Sequence, residues 1–157
     1  VIQDTIQKAG FTPIVNLSGH GLEEWEVHAS PTIPNIDTGD ETLLEEGMIF
    51  AIEPFATLGT GRAKEGGKET LYTQIAKNPV RSPAERKVLQ QLEQFHNMPF
   101  VNRWITGVPA LQLKVALKNF VRLGILIKHP PLVDTDIVAQ AEHSVKVTKD
   151  GCDVLTK

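Results

Sequence analysis

Two carboxylates and one imidazole stand where the sequence predicts a folded core rather than a solvated surface. Glu53 ends the apolar run of residues 48–52, which has the length of a buried strand, and Pro54 then prevents further ladder pairing. Glu142 lies in the middle of a second strand-like stretch, and His20 lies between two glycines. Burying a carboxylate costs free energy unless it is paired or binds a cation.

These residue types suit one kind of chemistry. Carboxylate oxygens and an imidazole nitrogen are ligands for divalent ions such as Mn, Fe, Co or Zn. The alternative is that Glu53 and Glu142 are structural carboxylates, each satisfied by a salt bridge or a cap at a strand end. The three residues together favour a metal centre. Cys152 is the single cysteine, so neither an internal disulfide nor a thiolate cage can form.

Composition narrows the class of protein. The 157 residues carry a formal net charge of −3, with 41% hydrophobic and 22% charged residues, as in an ordinary soluble domain. This balance argues against a basic surface that coats nucleic acid. No apolar run approaches the roughly 18 residues of a membrane span. We therefore expect a soluble, cytoplasmic protein. The chain opens at Val1 directly in a helical pattern, so we also expect it to be part of something longer.

The elements that must position these residues are predicted to be mainly strands. An opening helix ends at Gly10, and Gly19 and Gly21 should turn the backbone tightly around His20. Turn-forming residues predict a loop over residues 30–47. Strands are predicted over residues 13–17, 48–52, 70–75, 137–147 and 152–156.

The residue pattern changes from strand-like to helical at Pro79. Ser82 and Glu85 have the spacing of a capping box for a helix that runs to about residue 96. A second helix should run from about Pro109 to Gly124, followed by a strand over residues 125–127. Its inward-facing residues are predicted to be Leu111, Val115, Leu117, Val121 and Leu123. Helix, turn, helix and strand in this order predict a winged-helix-like module at residues 79–134, inserted between β-rich segments at 1–78 and 135–157.

Four ordered segments resemble the signatures of type II (archaeal-type) methionine aminopeptidases. They are residues 16–20 (NLSGH), His28 with residues 33–35 (IPN), residues 50–56 (FAIEPFA) and residues 139–143 (AQAEH). Residues 79–81, 99–100, 103–104 and 130–132 are similar to that family's helical insertion. The resemblance covers essentially the whole chain.

The resemblance implies an α+β fold, the C-terminal half of a pita-bread (creatinase/aminopeptidase) fold with an inserted winged-helix-like subdomain. It implies removal of N-terminal methionine from nascent polypeptides with two divalent ions, Co, Mn, Fe or Zn. His20 would ligate one ion, Glu53 would ligate it and shuttle a proton, and Glu142 would bridge both ions. His28 would hydrogen-bond the substrate, and Val27 would line the methionine pocket.

The family's site also uses two aspartates and a further histidine from an N-terminal half that would precede this sequence. We therefore expect the chain to be an incomplete part of the enzyme, inactive alone and exposing apolar surface. Its expected partners are that missing half and the N-terminal methionine of nascent chains, with a place close to the ribosome. The sequence predicts neither a membrane nor a nucleic-acid partner.

Two alternatives remain at this stage. One is a non-catalytic pita-bread and winged-helix protein that binds the ribosome or nucleic acid; the three retained ligands count against it. So do the scattered basic residues of the insertion, where Lys114, Lys118 and Arg122 form a stripe typical of a solvated helix face. The other is a prolidase or creatinase, which the type II insertion and the NLSGH segment count against.

Overall fold

The computed structural model describes residues 1–67 and 71–156, which form two compact units. The main unit comprises residues 1–65 and 132–157, and the inserted unit comprises residues 66–131. The first elements in chain order are α1 (Ile2–Lys8), β1 (Thr12–Pro13), β2 (Ser18–Glu23), β3 (Glu26–Pro34), β4 (Ile49–Ile52), β5 (Phe55–Thr57), β6 (Lys64–Glu65) and β7 (Leu71–Gln74). They are followed by α2 (Pro83–Leu92), β8 (Phe100–Val101), α3 (Ala110–Arg122), β9 (Leu126–His129), β10 (Leu132–Val133), β11 (Val138–Gln140), β12 (His143–Thr148) and β13 (Gly151–Val154).

The main unit is built from antiparallel sheets. The larger sheet has the strand order β13-β12-β4-β2-β3, and a smaller one has the order β1-β5-β11. Helix α1 ends before Gly10, which has a φ of +85° as the predicted C-cap requires. None of the helices in the described residues is long and apolar enough to cross a bilayer.

The glycines around His20 act differently from the prediction. Residues 18–21 belong to β2 rather than to a turn, and the strand predicted over residues 13–17 is replaced by the short β1. A Cβ atom on Gly19 would collide with the Ala51 carbonyl oxygen, and one on Gly21 with the Ser30 carbonyl oxygen. These glycines therefore make room for neighbouring strands, and the predicted tight turn is wrong.

The loop predicted over residues 30–47 is wrong at its start. Strand β3 continues through Pro31 to Pro34, and its last residues pair with β2, where Thr32 faces His20. Strand β3 is an edge of its sheet. Prolines are tolerated there because an edge strand leaves one row of N–H groups without a ladder partner.

The strand predicted over residues 137–147 is interrupted. It forms β11 and β12, and Ala141 and Glu142 between them belong to neither strand. Strand β11 pairs with β5, whereas β12 pairs with β4 in the other sheet. The break lies opposite the Glu53-Pro54 step between β4 and β5, where the Ala141 N–H donates to the Pro54 carbonyl oxygen at 3.3 Å.

The inserted unit has its own hydrophobic core. Its sheet has the strand order β8-β7-β9. Strand β7 therefore belongs to the inserted unit, which begins at residue 66 rather than at the boundary expected at residue 79. The strand predicted over residues 70–75 is seen as β7, while Thr70 lies outside the described residues. The core residues are Val88, Leu92, Phe100, Ile105, Leu113, Ala116, Leu117, Phe120, Ile125 and Leu126.

The inward face predicted for α3 is largely wrong. Leu117 is buried and Val121 packs partly against the core, but Leu111, Val115 and Leu123 are exposed. The buried face instead carries Leu113, Ala116, Leu117 and Phe120. The buried set has the i, i+3, i+4, i+7 spacing of one helix face, whereas the predicted set is spread around the helix.

The start of α2 matches the prediction only in its backbone. Ser82 is the N-cap and Pro83 opens the helix, but the Ser82 side chain makes no capping hydrogen bond. Glu85 does not complete a capping box, because its Oε1 accepts a hydrogen bond of 2.6 Å from Asn119 Nδ2 on α3. This contact joins the two helices of the unit.

Candidate metal centre

His20 and Glu53 form the centre of the candidate site. The side chains come from the neighbouring strand β2 and the end of β4, and His20 Nε2 lies 2.9 Å from Glu53 Oε1. Both side chains are 13% exposed, so the pair is shielded from bulk water but still accessible. The close approach depends on Gly19, whose added Cβ would also lie 3.2 Å from the Glu53 backbone nitrogen.

The other ring nitrogen of His20 has a fixed partner. His20 Nδ1 lies 3.0 Å from the Gly21 carbonyl oxygen. A carbonyl oxygen only accepts, so this contact makes Nδ1 the N–H donor and directs Nε2 towards Glu53. Metal-binding histidines commonly use one nitrogen on the ion and donate the other N–H to a backbone carbonyl.

Glu53 is held where its ionised form is costly. Burial raises the pKa of its carboxyl group, and the nearby carboxylate of Glu142 raises it further, while His20 and a hydrogen bond from Gln140 act in the opposite direction. A strand-end carboxylate with a raised pKa is suited both to a cation and to proton transfer.

Glu142 lies at the break between β11 and β12, not in the middle of a strand as predicted, and it is exposed. Gln140 links it to Glu53. The Nε2 atom of Gln140 donates to Glu53 Oε2 at 2.8 Å and to Glu142 Oε2 at 3.3 Å. The structure therefore brings His20, Glu53 and Glu142 to one place on the main unit.

A cavity of about 260 Å³ adjoins Glu53. His28 lies on its wall, and the imidazole rings of His20 and His28 meet edge to face with their centroids 4.4 Å apart. Val27, next to His28 on β3, is not among the lining residues, so its place in a methionine pocket stays a prediction. The other lining residues are Ile14, Leu17, Ser18, Phe55, Ala63, Leu132, Val133 and Val138.

The donor set fits part of a metal site. Within residues 1–67 and 71–156, no group of three or more His, Cys, Asp or Glu side chains is arranged so that it could hold an ion by itself. One imidazole nitrogen oriented by a backbone carbonyl and two carboxylates are nevertheless the ligand types that divalent transition metals take. Their ligand types match those of a metal pair, but their number is smaller than such a pair takes.

Comparison with known proteins decides the family. The model of metallopeptidase family M24 matches residues 1–149. The chain belongs to family M24. The pita-bread fold class and the resemblance to methionine aminopeptidases predicted from the sequence are thereby confirmed.

Archaeal proteins of family M24 align along this chain. It is 42% identical to a methionine aminopeptidase of Thermococcus onnurineus over 99% of this chain and 54% of that protein. It is 41% identical to a methionine aminopeptidase of Pyrococcus horikoshii over 99% of this chain and 55% of that protein. The chain therefore spans about half the length of these M24 relatives.

Solved structures share the M24 fold at low sequence identity. A thermophilic Arx1 superposes on 97% of this chain and 43% of its own length, with a TM-score of 0.76 and 18% identity. A methionine aminopeptidase of Thermotoga maritima superposes on 99% of this chain and 39% of its own, with a TM-score of 0.55 and 23% identity.

Sequence reasoning about this M24 chain missed the role of Gln140. The signal was available, since Gln140 precedes Glu142 by two residues and so shares its face in an extended strand. The apolar wall of the cavity was also missed. Ile14, Leu17, Phe55 and Val138 come from separate segments, and only the folded sheets bring them together.

Proposed function

We propose that the chain forms the C-terminal part of a methionine aminopeptidase that removes N-terminal methionine from nascent polypeptides. The observation that carries this proposal is the convergence of His20, Glu53 and Glu142 beside an apolar cavity that His28 also lines. Whole-chain identity of 41–42% to archaeal methionine aminopeptidases supports it.

In this proposal, His20, Glu53 and Glu142 hold two divalent ions of the Co, Mn, Fe or Zn type. Such ions supply Lewis-acid polarisation of the scissile carbonyl and a water molecule acidic enough to act near neutral pH. The protein orients the ligands. Nδ1 of His20 is tied to the Gly21 carbonyl, and the two carboxylates are joined through Gln140.

Glu53 and His28 do the remaining chemistry in this proposal. Glu53 takes a proton from water and passes it to the leaving amine, a role that a carboxylate beside the reacting atoms can fill. A ring N–H of His28 donates to the oxygen that becomes negatively charged as the carbonyl is attacked. Removing one donor of this type costs about 2.7–4 kcal/mol of transition-state stabilisation.

The cavity supports the choice of substrate side chain. Its volume of about 260 Å³ and its mainly apolar wall suit an unbranched apolar side chain such as that of methionine. Glu53 and His28 both line this cavity, so we propose that a side chain bound there brings its backbone to these two groups.

We further propose that activity needs the complementary half of the fold. The chain aligns with 54% of its Thermococcus relative, and three ligands are fewer than a metal pair requires. The inserted unit, in which α2 and α3 accompany an antiparallel sheet, is proposed to be winged-helix-like.

A chimera tests this function. The part of the Thermococcus onnurineus enzyme that lies N-terminal to the aligned region is fused to this chain, and release of methionine from a Met-Ala-Ser peptide is measured with Co²⁺ or Mn²⁺. We expect turnover by the chimera and none by the 157-residue chain under the same conditions. Turnover by the chain alone would contradict its dependence on a second half.

Matched variants make the assay specific to the site. Glu142→Gln in the chimera should lower kcat/KM at least about 100-fold, because it removes a charged ligand. Glu46→Gln, which changes an exposed glutamate elsewhere on the main unit, should have no effect. A folded chimera that cleaves Xaa-Pro dipeptides instead of Met-Ala-Ser would establish a prolidase.

A further inference from the structure

Glu53 and Glu142 lie directly opposite each other on neighbouring chain segments. Gln140 pairs with Phe55 and His143 pairs with Ile52, which is the same antiparallel alignment on both sides of the strand break. That alignment places Glu142 opposite Glu53 and Ala141 opposite Pro54. The Ala141 N–H to Pro54 carbonyl hydrogen bond shows that the alignment persists through the break.

Two like charges in this arrangement repel. Carboxylates opposite each other on adjacent strands destabilise a sheet. Glu53 is only 13% exposed whereas Glu142 is exposed, so solvent screens their repulsion only in part. His20 contacts Oε1 of Glu53, so the other oxygen, Oε2, is the one that Gln140 links to the carboxylate of Glu142. A neutral group with two donors is suited to this position.

Gln140 has the required donors and reach. Its amide nitrogen carries two hydrogens, so one can point to Glu53 Oε2 at 2.8 Å and the other to Glu142 Oε2 at 3.3 Å. The residue ends β11 and lies two residues before Glu142, so β11 positions the Gln140 side chain beside the break that carries Glu142. An uncharged amide relieves the repulsion without supplying a fixed positive charge that would compete with a cation.

We propose that Gln140 is a positioning residue whose side-chain amide holds the opposed carboxylates of Glu53 and Glu142 in place to receive divalent cations. The part that concerns cations rests on the proposed function, whereas the positioning of the carboxylates does not. Glu53 is also anchored by His20, so the loss of Gln140 affects Glu142 more than Glu53.

The metal-free chain provides the first test. Side-chain rotamers of Glu53 and Glu142 are measured from three-bond NMR couplings in the wild type, Gln140→Leu, Gln140→Glu and the control Gln90→Leu, which changes an exposed glutamine of α2. We expect one dominant Glu142 rotamer in the wild type and control, and averaged Glu142 rotamers in both Gln140 variants. The Glu53 rotamer should persist in all four proteins.

Metal affinity provides the second test. Binding of Mn²⁺ to the same 157-residue chain is followed by electron paramagnetic resonance, and Gln140→Leu should weaken it 10- to 100-fold relative to the wild type and Gln90→Leu. An unchanged Glu142 rotamer in Gln140→Leu and Gln140→Glu would overturn the proposal, as would unchanged Mn²⁺ affinity. If the wild type binds no Mn²⁺ while Glu142 is released in both Gln140 variants, the positioning role stands and the proposed metal function fails.

Discussion

The carboxylate of Glu53 is held where ionisation is costly, since burial and the neighbouring Glu142 both raise its pKa above the ordinary value of 4.5. A group whose pKa is raised by folding binds its proton more tightly in the folded state. The ionised form therefore destabilises the fold at pH values above the raised pKa, and this penalty is absent below about 4.5. The metal-free fold is therefore less stable than it would be without this carboxylate, which lies in a position suited to a cation.

Glu53→Gln should therefore stabilise the metal-free chain at pH 7. The gain should be at most about 1 kcal/mol, because partial solvent exposure screens the repulsion. Urea unfolding at pH 7 and at pH 4 measures it, and the difference from the wild type should shrink at the lower pH. A destabilised variant at pH 7 would show that the pairing of Glu53 with His20 outweighs burial and repulsion.

Asp134 shows the opposite sign of pKa shift. Its carboxylate accepts a hydrogen bond of 2.5 Å from Thr60 Oγ1 and one of 2.9 Å from the Gly61 N–H, so it ties the turn after β5 to the segment after β10. The hydrogen bond from Thr60, followed by backbone donors, holds the pKa of Asp134 well below its usual range. Stability from this group is present above its ordinary pKa and is lost as the pH falls through the lowered one.

Asp134→Asn should consequently lower the urea midpoint at pH 7, and the difference from the wild type should diminish on acidification below about 3.8. Asp153→Asn, an exposed carboxylate on β13, is the matched control. Equal effects of the two substitutions at every pH would mean that the hydrogen bonds of Asp134 add no stability.

Residue types picked out side chains that the fold brings together, and their metal-binding role stays a prediction. Glu53 was found because an apolar strand ends in a charge, and His20 because it lies between glycines. The hydrogen-bond partners of the site were not found, because Gly21 accepts from His20 through its carbonyl oxygen, which every residue has. The two-residue spacing places Gln140 near Glu142, but its contact with Glu53 depends on an antiparallel register that no local spacing reveals.

At the scale of the elements, Gly19 sets the distance between β2 and β4. Its φ is not in the left-handed range, so the need for glycine is one of space and not of backbone conformation. Gly19→Ala should destabilise the main unit by about 1–3 kcal/mol, the usual cost of overpacking. It should also separate His20 from Glu53, because the added methyl group meets the Ala51 carbonyl and the Glu53 nitrogen.

The control for this change is Gly151→Ala, where an added Cβ meets no atom of the described residues within 4 Å. Thermal unfolding measures the stability of both variants, and the NMR signals of the His20 ring report the pairing. Equal stability of Gly19→Ala and Gly151→Ala would show that β2 and β4 can move apart freely.

The corrected face of α3 gives a paired prediction. Leu117 is 3% exposed and Leu111 is 74% exposed, although the sequence predicted both inward. Leu117→Ala should cost about 2–5 kcal/mol because it leaves a cavity in the core. Leu111→Ala should change stability by no more than about 0.5 kcal/mol. Fluorescence of Trp104 in a Trp25→Phe background follows unfolding of the inserted unit. Similar losses of stability in the two variants would show that Leu111 packs in the core, as the sequence predicted.

Elements were predicted well where local signals decide them and poorly where neighbours decide them. Gly10 and Pro83 mark helix ends through backbone geometry, and the structure agrees with both. The course of β3 through Pro31 depends on its being an edge strand, and the break after Gln140 depends on Pro54 across the sheet. Both features are set by contacts between strands, so the sequence pattern predicted the end of β3 and the break after Gln140 wrongly.

At the scale of the whole molecule, the chain divides into two compact units. The inserted unit surrounds one compact apolar cluster. The main unit keeps large apolar side chains exposed, including Phe11, Leu58, Ile137 and Val138, and Val138 also lines the cavity beside Glu53. Exposed apolar residues of this kind agree with the proposal that a complementary half covers this unit.

The pairing of β6 with β10 makes the insertion separable. Lys64 faces Val133 and Glu65 faces Leu132, so the chain leaves and re-enters the main unit across one antiparallel strand pair. Neighbouring strands are about 4.8 Å apart, a gap that a two-residue Asn-Gly turn closes. Replacing residues 66–131 by Asn-Gly should leave a folded main unit whose Trp25 fluorescence and NMR signals match those of the full chain; an unfolded product would contradict this.

For protein engineering, this junction is a grafting point. A hairpin whose tip accepts a foreign module can exchange that module without disturbing the ladder beneath it. Domains with other recognition properties could therefore be installed between Glu65 and Leu132 while the carboxylates and the histidine keep their geometry.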